Sequence, residues 1–469
     1  MPPLYDLAVR NGQVVTPNGV IAADLGIRNG VIDAIDNRIG PARTDLDARG
    51  QLVLPGGVDV HAHIEQMSGM GVMNADTFET ATHSAACGGT TCVVCFAAQA
   101  KGQRLRDAVA DYQQRAERGA MIDYAFHIIV SDPSVPEFEE DLAALIRDGH
   151  RSIKLFTTYD IRLGDAEILR VMSVAKAEGA LVCVHAENDA IITRARNALI
   201  AQGRLRPSDH AASRPRWAEI EAVERICHFA QYLNQPVMLF HISTREAAAI
   251  VARHRAQSAP VWAETCPHYL LMTQDVLDQP EGGKWMCSPP QRTPADQDAL
   301  WAALAEDDLQ IISSDHAPYR YDASGKLAAG PDAGFHQIAN GLPGLETRLP
   351  LMFDAIVSKG RGTAEDFARL TATAPAALHG LARKGRIAVG ADADLVIWSA
   401  DRQVTYGADD LHDNVGYNPW EGTTVTGWPE TVLLRGTVLV DERGFHGRGG
   451  AGVWQSRPQL SPHLQEKLK

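Results

Sequence analysis

The chain contains no apolar run near the ~18–20 residues that a membrane-spanning helix requires. Its opening residues, MPPLYDLAVRNG, lack both the basic start and the apolar stretch of an export signal. There are only seven cysteines in 469 residues, and their spacing does not suggest a disulfide framework. These absences predict a cytoplasmic protein with reduced thiols, and they argue against a membrane partner.

An excess of positive charge is also missing. Lysine and arginine number 44 against 58 aspartate and glutamate residues, so the formal net charge is −14. No long basic run interrupts this acidic balance. A nucleic-acid partner is therefore not expected, and a solvated acidic surface accounts for the charge.

The two cysteines closest in sequence, Cys92 and Cys95, lie in the apolar segment GTTCVVCF, which has the composition of a strand. Side chains three residues apart on a strand point to opposite faces. The pair is therefore not expected to form a redox or zinc motif. Both thiols are predicted to lie in the core.

Short strand patterns with turn signals occupy both ends of the chain. The dipeptides Asn11-Gly12 and Asn29-Gly30 separate apolar segments, and Asn-Gly favours hairpin turns. We predict that residues 1–54 and 381–445 together form one β-sandwich. The expected strands are Asp6–Val9, Gln13–Val15, Ala23–Ile27, Val31–Ile35, Ala393–Trp398, Val432–Leu434 and Thr437–Val440.

The middle of the chain, residues 55–380, alternates apolar runs with helical patterns such as 75–86, 103–119, 165–178 and 215–233. Buried strands that alternate with helices are typical of a parallel sheet, and eight such units predict an α/β fold, a closed (β/α)8 barrel of the TIM type. An open doubly wound sheet is less favoured, because its first strand would lead into a glycine-rich phosphate loop. The eight runs are Gly57–Val60, Thr90–Phe96, Tyr124–Val130, Ser152–Phe156, Leu181–Val184, Pro236–Phe240, Pro260–Glu264 and Gln310–Ser314.

The last segment, residues 446–469, is rich in glycine and proline over its first two-thirds. Two interpretations stay open for it. It is either an extended arm that packs on a neighbouring subunit or a disordered terminus.

Polar residues able to bind metal end or directly follow several of the apolar runs. The two histidines of VHAH are two residues apart, so their side chains lie on the same face of an extended segment. There they can chelate one ion. Taken alone, each histidine is better explained as an ordinary core or surface residue. Because a barrel assembles its site at the C-terminal ends of its strands, however, their joint placement predicts a site for a pair of metal ions. The expected ligands are His61, His63, Lys154, His185, His241 and Asp315.

Lys154 is the unusual member of this set, because an ammonium group repels a cation. Its presence at a metal site needs a chemical explanation. If nearby cations lower its pKa, the amine can react with CO2 to give an anionic carbamate that bridges two ions. The alternative is a lysine that extends to the barrel rim. Two divalent ions balanced by the carbamate, Asp315 and one hydroxide would leave a modest charge near +1, which favours the carbamate.

The order HxH, Lys, His, His, Asp across a barrel flanked by a terminal sandwich resembles the amidohydrolase superfamily. Within it, the chain is similar to the hydantoinase and dihydropyrimidinase branch of cyclic amidohydrolases. The motifs that carry this resemblance extend over nearly the whole chain. They are VVTPNG, LPGGVDVHAH, GGTT, VHAEN, CSPPQR and KGRIAVGADADLVIW.

The resemblance implies hydrolysis of a cyclic amide or imide to an N-carbamoyl amino acid or a half-amide. Tyr159 would steady the oxyanion, and Ser288 and Asn340 would hold the substrate's ureide edge through their backbone groups. Asp315 would act as general base and then as general acid. The expected cofactors are two divalent ions, zinc by default with manganese or cobalt as alternatives. The resemblance also implies a homotetramer.

The loop after the first histidine pair, IEQMSGMG, is more polar than the branch would suggest, so the ring chemistry is better supported than the choice of ring. An allantoinase or a dihydroorotase is the first rival. Dihydroorotases carry a substrate-reading arginine where this chain has Glu65. A deaminase would not need Lys154, and a non-catalytic scaffold would have lost metal ligands, whereas all six positions are present.

Overall fold

The computed structural model describes residues 3–461 and Leu464. Residues 1–2 of the predicted sandwich, and residues 462–463 and 465–469 of the predicted arm, lie outside the described residues. No helix of the described part combines the length and the apolar character needed to cross a membrane. The strands are β1 (Tyr5–Thr16), β2 (Gly19–Arg28), β3 (Val31–Asp36), β4 (Ala42–Asp47), β5 (Leu52–Pro55), β6 (Gly57–Ala62), β7 (Thr90–Ala98), β8 (Asp123–Ile129), β9 (Ser152–Phe156), β10 (Leu181–His185), β11 (Val237–Leu239), β12 (Val261–Thr265), β13 (Ile311–Ile312), β14 (Leu395–Thr405), β15 (Thr424–Leu434), β16 (Thr437–Asp441) and β17 (Gly444–Phe445).

The helices lie between or after the strands of the middle part. The four helical patterns predicted from the sequence are confirmed as α1, α2, α4 and α7. The helices are α1 (Phe78–Cys87), α2 (Leu105–Gly119), α3 (Phe138–Arg147), α4 (Asp165–Glu178), α5 (Asp189–Ala201), α6 (His210–Ser213), α7 (Arg216–Leu233), α8 (Arg245–Ala256), α9 (Pro267–Leu271), α10 (Pro294–Ala305), α11 (Arg348–Phe353), α12 (Ala364–Ala368) and α13 (Ala374–Leu378).

All eight predicted apolar runs form strands, β6 to β13, which follow one another in chain order and pair in parallel. A parallel bridge between Ala62 and His316 joins the first strand to the segment after the last, and the His63 amide donates to the His316 carbonyl at 2.7 Å. This contact closes the sheet, and the predicted (β/α)8 barrel is confirmed. The eighth strand is shorter than the predicted run 310–314, because the chain turns toward β6 at Ser314.

The barrel wall separates two apolar cores. Residues such as Val58, Val94 and Phe96 pack inside the barrel, whereas their neighbours Val93 and Cys95 pack against the surrounding helices. Cys92 belongs to the inner core, so it lies across the wall from Cys95. Both thiols are free and buried, as the strand pattern predicted.

Both chain ends contribute to a second, mostly antiparallel sheet of nine strands around its own apolar core. The predicted β-sandwich is confirmed, and the Asn29-Gly30 turn joins β2 to β3. The hairpin expected at Asn11-Gly12 is wrong. There β1 continues through a register shift with Asn11 at a φ of 57°, because its first half pairs with β4 and its second half with β5.

The segment that follows β17 runs along the barrel of the same chain. The Tyr124 amide donates to the Val453 carbonyl at 3.2 Å, and the Gln455 amide donates to the Tyr124 carbonyl at 2.7 Å. The buried Arg457 side chain donates to the Phe126 carbonyl at 2.6 Å and to Ser152 Oγ at 2.8 Å. The described part of the arm therefore contributes to the floor of the barrel, at the end opposite the C-terminal ends of the strands.

Candidate active site

Five of the six expected metal ligands lie at the C-terminal ends of barrel strands, and Lys154 lies in the middle of β9. They sit on or just after five different strands, namely β6, β9, β10, β11 and β13. All except His63 are buried, and His63 is half-buried. The structure therefore brings together residues that are up to 254 positions apart in the sequence, from His61 to Asp315.

The first of two groups at this end consists of His61, His63 and Asp315. His61 Nε2 lies 2.9 Å from Asp315 Oδ1, and His63 Nε2 lies 3.6 Å from the same oxygen. One donor atom from each residue falls within 4.8 Å of the others. Two imidazoles and a carboxylate this close together form a suitable ligand set for a zinc-like ion.

The second group pairs His185 with His241, whose ring centres are 4.4 Å apart. The His61 ring lies 5.5 Å from the His241 ring, so the two groups are adjacent. The Nδ1 atom of His241 is buried and has no hydrogen-bond partner in the described part of the chain. A buried unpartnered nitrogen is costly, and a metal ion would satisfy it.

Lys154 lies between aromatic rings at the base of the site. Its Nζ is 3.9 Å from the ring centre of Phe240 and 4.9 Å from that of Phe156. Burial lowers the pKa of Lys154 to about 8, although Glu264 and Asp315 oppose the shift. A substantial fraction of this amine is therefore neutral near pH 7–8, which is the form that reacts with electrophiles.

Carboxylates and an amide that the sequence analysis did not single out orient the histidines. Glu264 contacts His61 Nδ1, Gln66 Oε1 lies 2.7 Å from His63 Nδ1, and Glu187 Oε2 lies 2.8 Å from His185 Nε2. Such partners fix which ring nitrogen remains free for a metal. Two of these partners could have been found from the sequence, since Glu264 ends the seventh apolar run and Glu187 lies two residues after His185.

Burial and neighbouring charges shift the pKa values of the carboxylate and the histidines at the site. Burial alone would raise the pKa of Asp315, but the nearby His61 and His63 hold it well below its usual range. Burial lowers the pKa of His185 to about 4 and that of His241 further below normal. The site therefore presents an ionised carboxylate beside the neutral imidazoles of His185 and His241, which suits metal binding. Burial would lower the pKa of His61 as well, but Asp315 and Glu264 raise it above its usual value.

Tyr159, Ser288 and Asn340 come together on one side of the histidines. The Tyr159 ring centre lies 5.3 Å from that of His185, and Tyr159 is hydrogen-bonded to Ser288. The Asn340 amide nitrogen donates to Ser288 Oγ at 2.8 Å. The next residue, Gly341, packs closely on Ala317, because an added Cβ would lie 2.3 Å from the Ala317 carbonyl oxygen.

The loop after His63 turns back on itself, with Met67 bridged to Met73. Glu65 does not act as a free charge, since its Oε1 accepts a hydrogen bond from the Phe78 amide at the start of α1. The exposed side chains of this loop are Met67, Met70 and Met73. Its exposed surface is therefore more apolar than its sequence suggested.

Comparison with known proteins agrees with this geometry. The profile of the Amidohydrolase family matches residues 52–439. The chain belongs to the amidohydrolase family. It lies in the hydantoinase and dihydropyrimidinase branch, and the family's chemistry uses divalent metal.

Individual relatives align over nearly the full length of the chain. A D-hydantoinase from Rhizobium radiobacter is 40% identical over 457 residues, which cover 96% of this chain and 99% of the relative. A D-hydantoinase from Ralstonia pickettii is 39% identical with the same coverage. The crystal structure of dihydropyrimidinase from Brevibacillus agri NCHU1002 is 36% identical, with a TM-score of 0.93 and coverage of 97% and 99%.

Proposed function

We propose that this protein hydrolyses a ring amide bond of cyclic ureides and related cyclic amides. The substrates are 5-substituted hydantoins and dihydropyrimidines, with simple cyclic imides as a third class. The products are N-carbamoyl amino acids or half-amides. The observation that carries the proposal is the convergence of six candidate metal ligands at the mouth of a barrel whose relatives are named for these reactions.

The donor set fits a pair of divalent metal ions. His61, His63 and Asp315 would hold one ion, and His185 and His241 the other, with a carbamate on Lys154 shared between them. The unpartnered Nδ1 of His241 supports this assignment. Zinc is the default for imidazole-rich ligation, with manganese or cobalt as alternatives. Held there, such ions supply Lewis acidity and lower the pKa of water toward about 7.

The carbamate would form when the Lys154 amine bonds to the carbon of CO2 and releases a proton. Two properties of Lys154 support this reaction. Burial lowers the pKa of the amine, and aromatic rings surround Nζ on several sides. The product is an anion, which converts a group that repels cations into one that binds them.

Asp315 would move the proton during ring opening. Its lowered pKa keeps it ionised, so it can accept a proton from the attacking water and deliver it to the departing ring nitrogen. Tyr159 would donate a hydrogen bond from its hydroxyl to the developing oxyanion, because burial raises its pKa and keeps it protonated. The backbone groups of Ser288 and Asn340 would bind the ureide edge.

The test is a comparison of ring opening by metal-loaded protein on dihydrouracil, a 5-substituted hydantoin, a cyclic imide, allantoin and dihydroorotate. We expect turnover of one or more of the first three compounds and none of the last two. Activity restricted to allantoin or dihydroorotate would replace the proposed substrate class. Absence of both turnover and stoichiometric metal would favour a scaffold protein instead.

We also infer that the D-enantiomer of a 5-substituted hydantoin is the preferred substrate. The inference comes from two relatives at 39–40% identity, both named D-hydantoinase. Chiral chromatography of the N-carbamoyl product from a racemic hydantoin measures this directly. An excess of the L-product at early times would contradict it.

A further inference from the structure

A second group of potential metal ligands lies outside the active site. It comprises His83 and Cys87 on α1, His412 in the segment between β14 and β15, and Glu346, and we call it the α1 cluster. One donor atom from each of His83, Cys87 and His412 lies within 4.8 Å of the others. The reaction proposed above uses none of these residues.

The geometry of α1 brings two of the ligands onto one face. His83 and Cys87 are four residues apart, which places their side chains one turn above the other. The His412 ring centre lies 4.9 Å from that of His83, although His412 belongs to the segment between two sandwich strands. The cluster therefore joins a barrel helix to the sandwich.

Glu346 holds His412 in the orientation that ligation requires. Its Oε1 lies 2.8 Å from His412 Nδ1, and its Oε2 accepts a hydrogen bond from the His412 amide at 2.9 Å. Ser84 Oγ donates to the same carboxylate at 3.1 Å. A carboxylate that engages Nδ1 leaves Nε2 to face a metal, an arrangement common behind zinc-bound histidines.

Two polar atoms at the cluster have no hydrogen-bond partner within residues 3–461. They are His83 Nε2 and Tyr406 Oη, and both atoms are buried. Tyr406, Cys87 and His412 line a cavity of about 320 Å³. Cys87 is also the only one of the seven cysteines that is partly exposed. The cluster is thus accessible from a cavity, and one of its proposed ligand atoms, His83 Nε2, has no hydrogen-bond partner among the described residues.

We propose that His83, Cys87 and His412 bind one zinc-class transition-metal ion, with Glu346 as the positioning residue behind His412. Thiolate and imidazole favour zinc, cobalt and copper over magnesium or calcium. Bonds of about 2.3 Å to sulfur and 2.0 Å to nitrogen would require the three side chains to rotate inward. Binding releases the thiol proton and any proton on His412, and the fourth position opens to the cavity.

Cobalt(II) is the probe, because a thiolate ligand produces an intense near-ultraviolet charge-transfer band. The six proposed active-site ligands contain no sulfur, so this band reports only on a thiolate site. We expect the band in the full-length protein and its loss in Cys87→Ser, together with one cobalt ion fewer per chain. Cys227→Ser, which alters a buried thiol on α7, is the matched control. It should keep the charge-transfer band and the full number of cobalt ions per chain.

Glu346→Gln provides a second measurement that does not remove a ligand. Cobalt affinity, followed by titration of the same band, should fall by about 10- to 100-fold. Circular dichroism verifies that each variant is folded. The proposal is overturned if the wild-type protein shows no such band, or if Cys87→Ser binds as much cobalt as the wild type.

Discussion

At the residue scale, three of the four histidines at the barrel mouth have a partner that fixes the ring, whereas the Nδ1 atom of His241 has none among the described residues. Glu264 contacts the ring of His61 and Glu187 contacts the ring of His185, and both carboxylates are fully buried. A buried carboxylate is stable only with such partners, because desolvation of an unpaired charge is expensive. The candidate ligands could be predicted from the sequence, since they lie on or shortly after apolar runs. Their partners could not be paired with them, because those contacts form only in the folded chain.

Lys154→Ala tests the carbamate directly. The variant should lose bound metal and ring-opening activity, because the shared anionic ligand is missing. Short carboxylic acids added to the variant should restore part of both, since they can occupy the space of the lost carbamate. Metal analysis and hydrolysis rates measure the two effects. Full activity of the variant without any added acid would exclude the binuclear arrangement.

Tyr159→Phe removes one hydroxyl and should affect the transition state more than substrate binding. We expect kcat to fall by about 100- to 1000-fold, as for other oxyanion donors, with little change in KM. Steady-state kinetics with a hydantoin provides the measurement. Unchanged metal content is the control, and a rise in KM alone would assign Tyr159 to binding.

The ion pair between Glu187 and Arg214 predicts how the stability of the folded protein changes with pH. Burial would raise the pKa of Glu187, but the charge of Arg214 and the contact with His185 lower it from 4.5 to about 2. The pKa of Glu187 is lower in the folded protein than in the unfolded chain. The ionised carboxylate therefore stabilises the fold fully above about pH 4.5, and this contribution disappears as the pH falls toward about 2.

Thermal unfolding of metal-free protein measures this effect. The melting temperature of the wild type should exceed that of Glu187→Gln near neutral pH. The difference should narrow as the pH is lowered through that window. A constant difference at all pH values would contradict the assignment.

At the scale of elements, the strand ends are shaped so that side chains point into the site. Tyr159, His241 and Asp315 adopt left-handed backbone conformations, with φ of 70°, 44° and 48°. Such conformations are unfavourable for residues other than glycine, and they persist only where surrounding contacts enforce them. The apolar runs predicted all eight strands. They could not predict these turns, because a non-glycine residue adopts this conformation only where contacts from distant parts of the chain enforce it.

The arm is the element whose stabilising role is most easily tested. Arg457→Met leaves the Phe126 carbonyl and Ser152 Oγ without their donor inside the barrel floor. We expect a loss of about 2–3 kcal/mol in the free energy of unfolding. Arg448→Met is the matched control, because Arg448 is exposed on the same arm and should change stability by less than about 0.5 kcal/mol. Denaturant titration compares the two variants.

At the scale of the whole molecule, the sandwich is built from both chain ends and the barrel from the middle. β5 of the N-terminal part pairs directly with β14 of the C-terminal part, so neither end forms this sheet alone. The sequence indicated this arrangement through the return of short strands late in the chain. It did not indicate β4, whose acidic sequence ARTDLD lacks a clear apolar alternation.

We expect the protein to assemble as a homotetramer, as its resemblance to the hydantoinase branch implies. Light scattering coupled to gel filtration should give a mass four times the 50.8 kDa of the chain. The same run with metal-free protein separates assembly from metal binding. A monomeric or dimeric mass at micromolar concentration would contradict the prediction.

The sequence by itself determined the barrel, the sandwich and the six candidate ligands. Apolar periodicity is local, and a barrel gathers its strand ends at one face whatever the details of packing. Only the tertiary structure decided which ring nitrogens are free, how Glu264 and Glu187 orient the histidines, and that Glu65 caps α1. It also brought His412 to α1. These features depend on contacts between residues distant in sequence, and their geometry is set by how barrel and sandwich pack together.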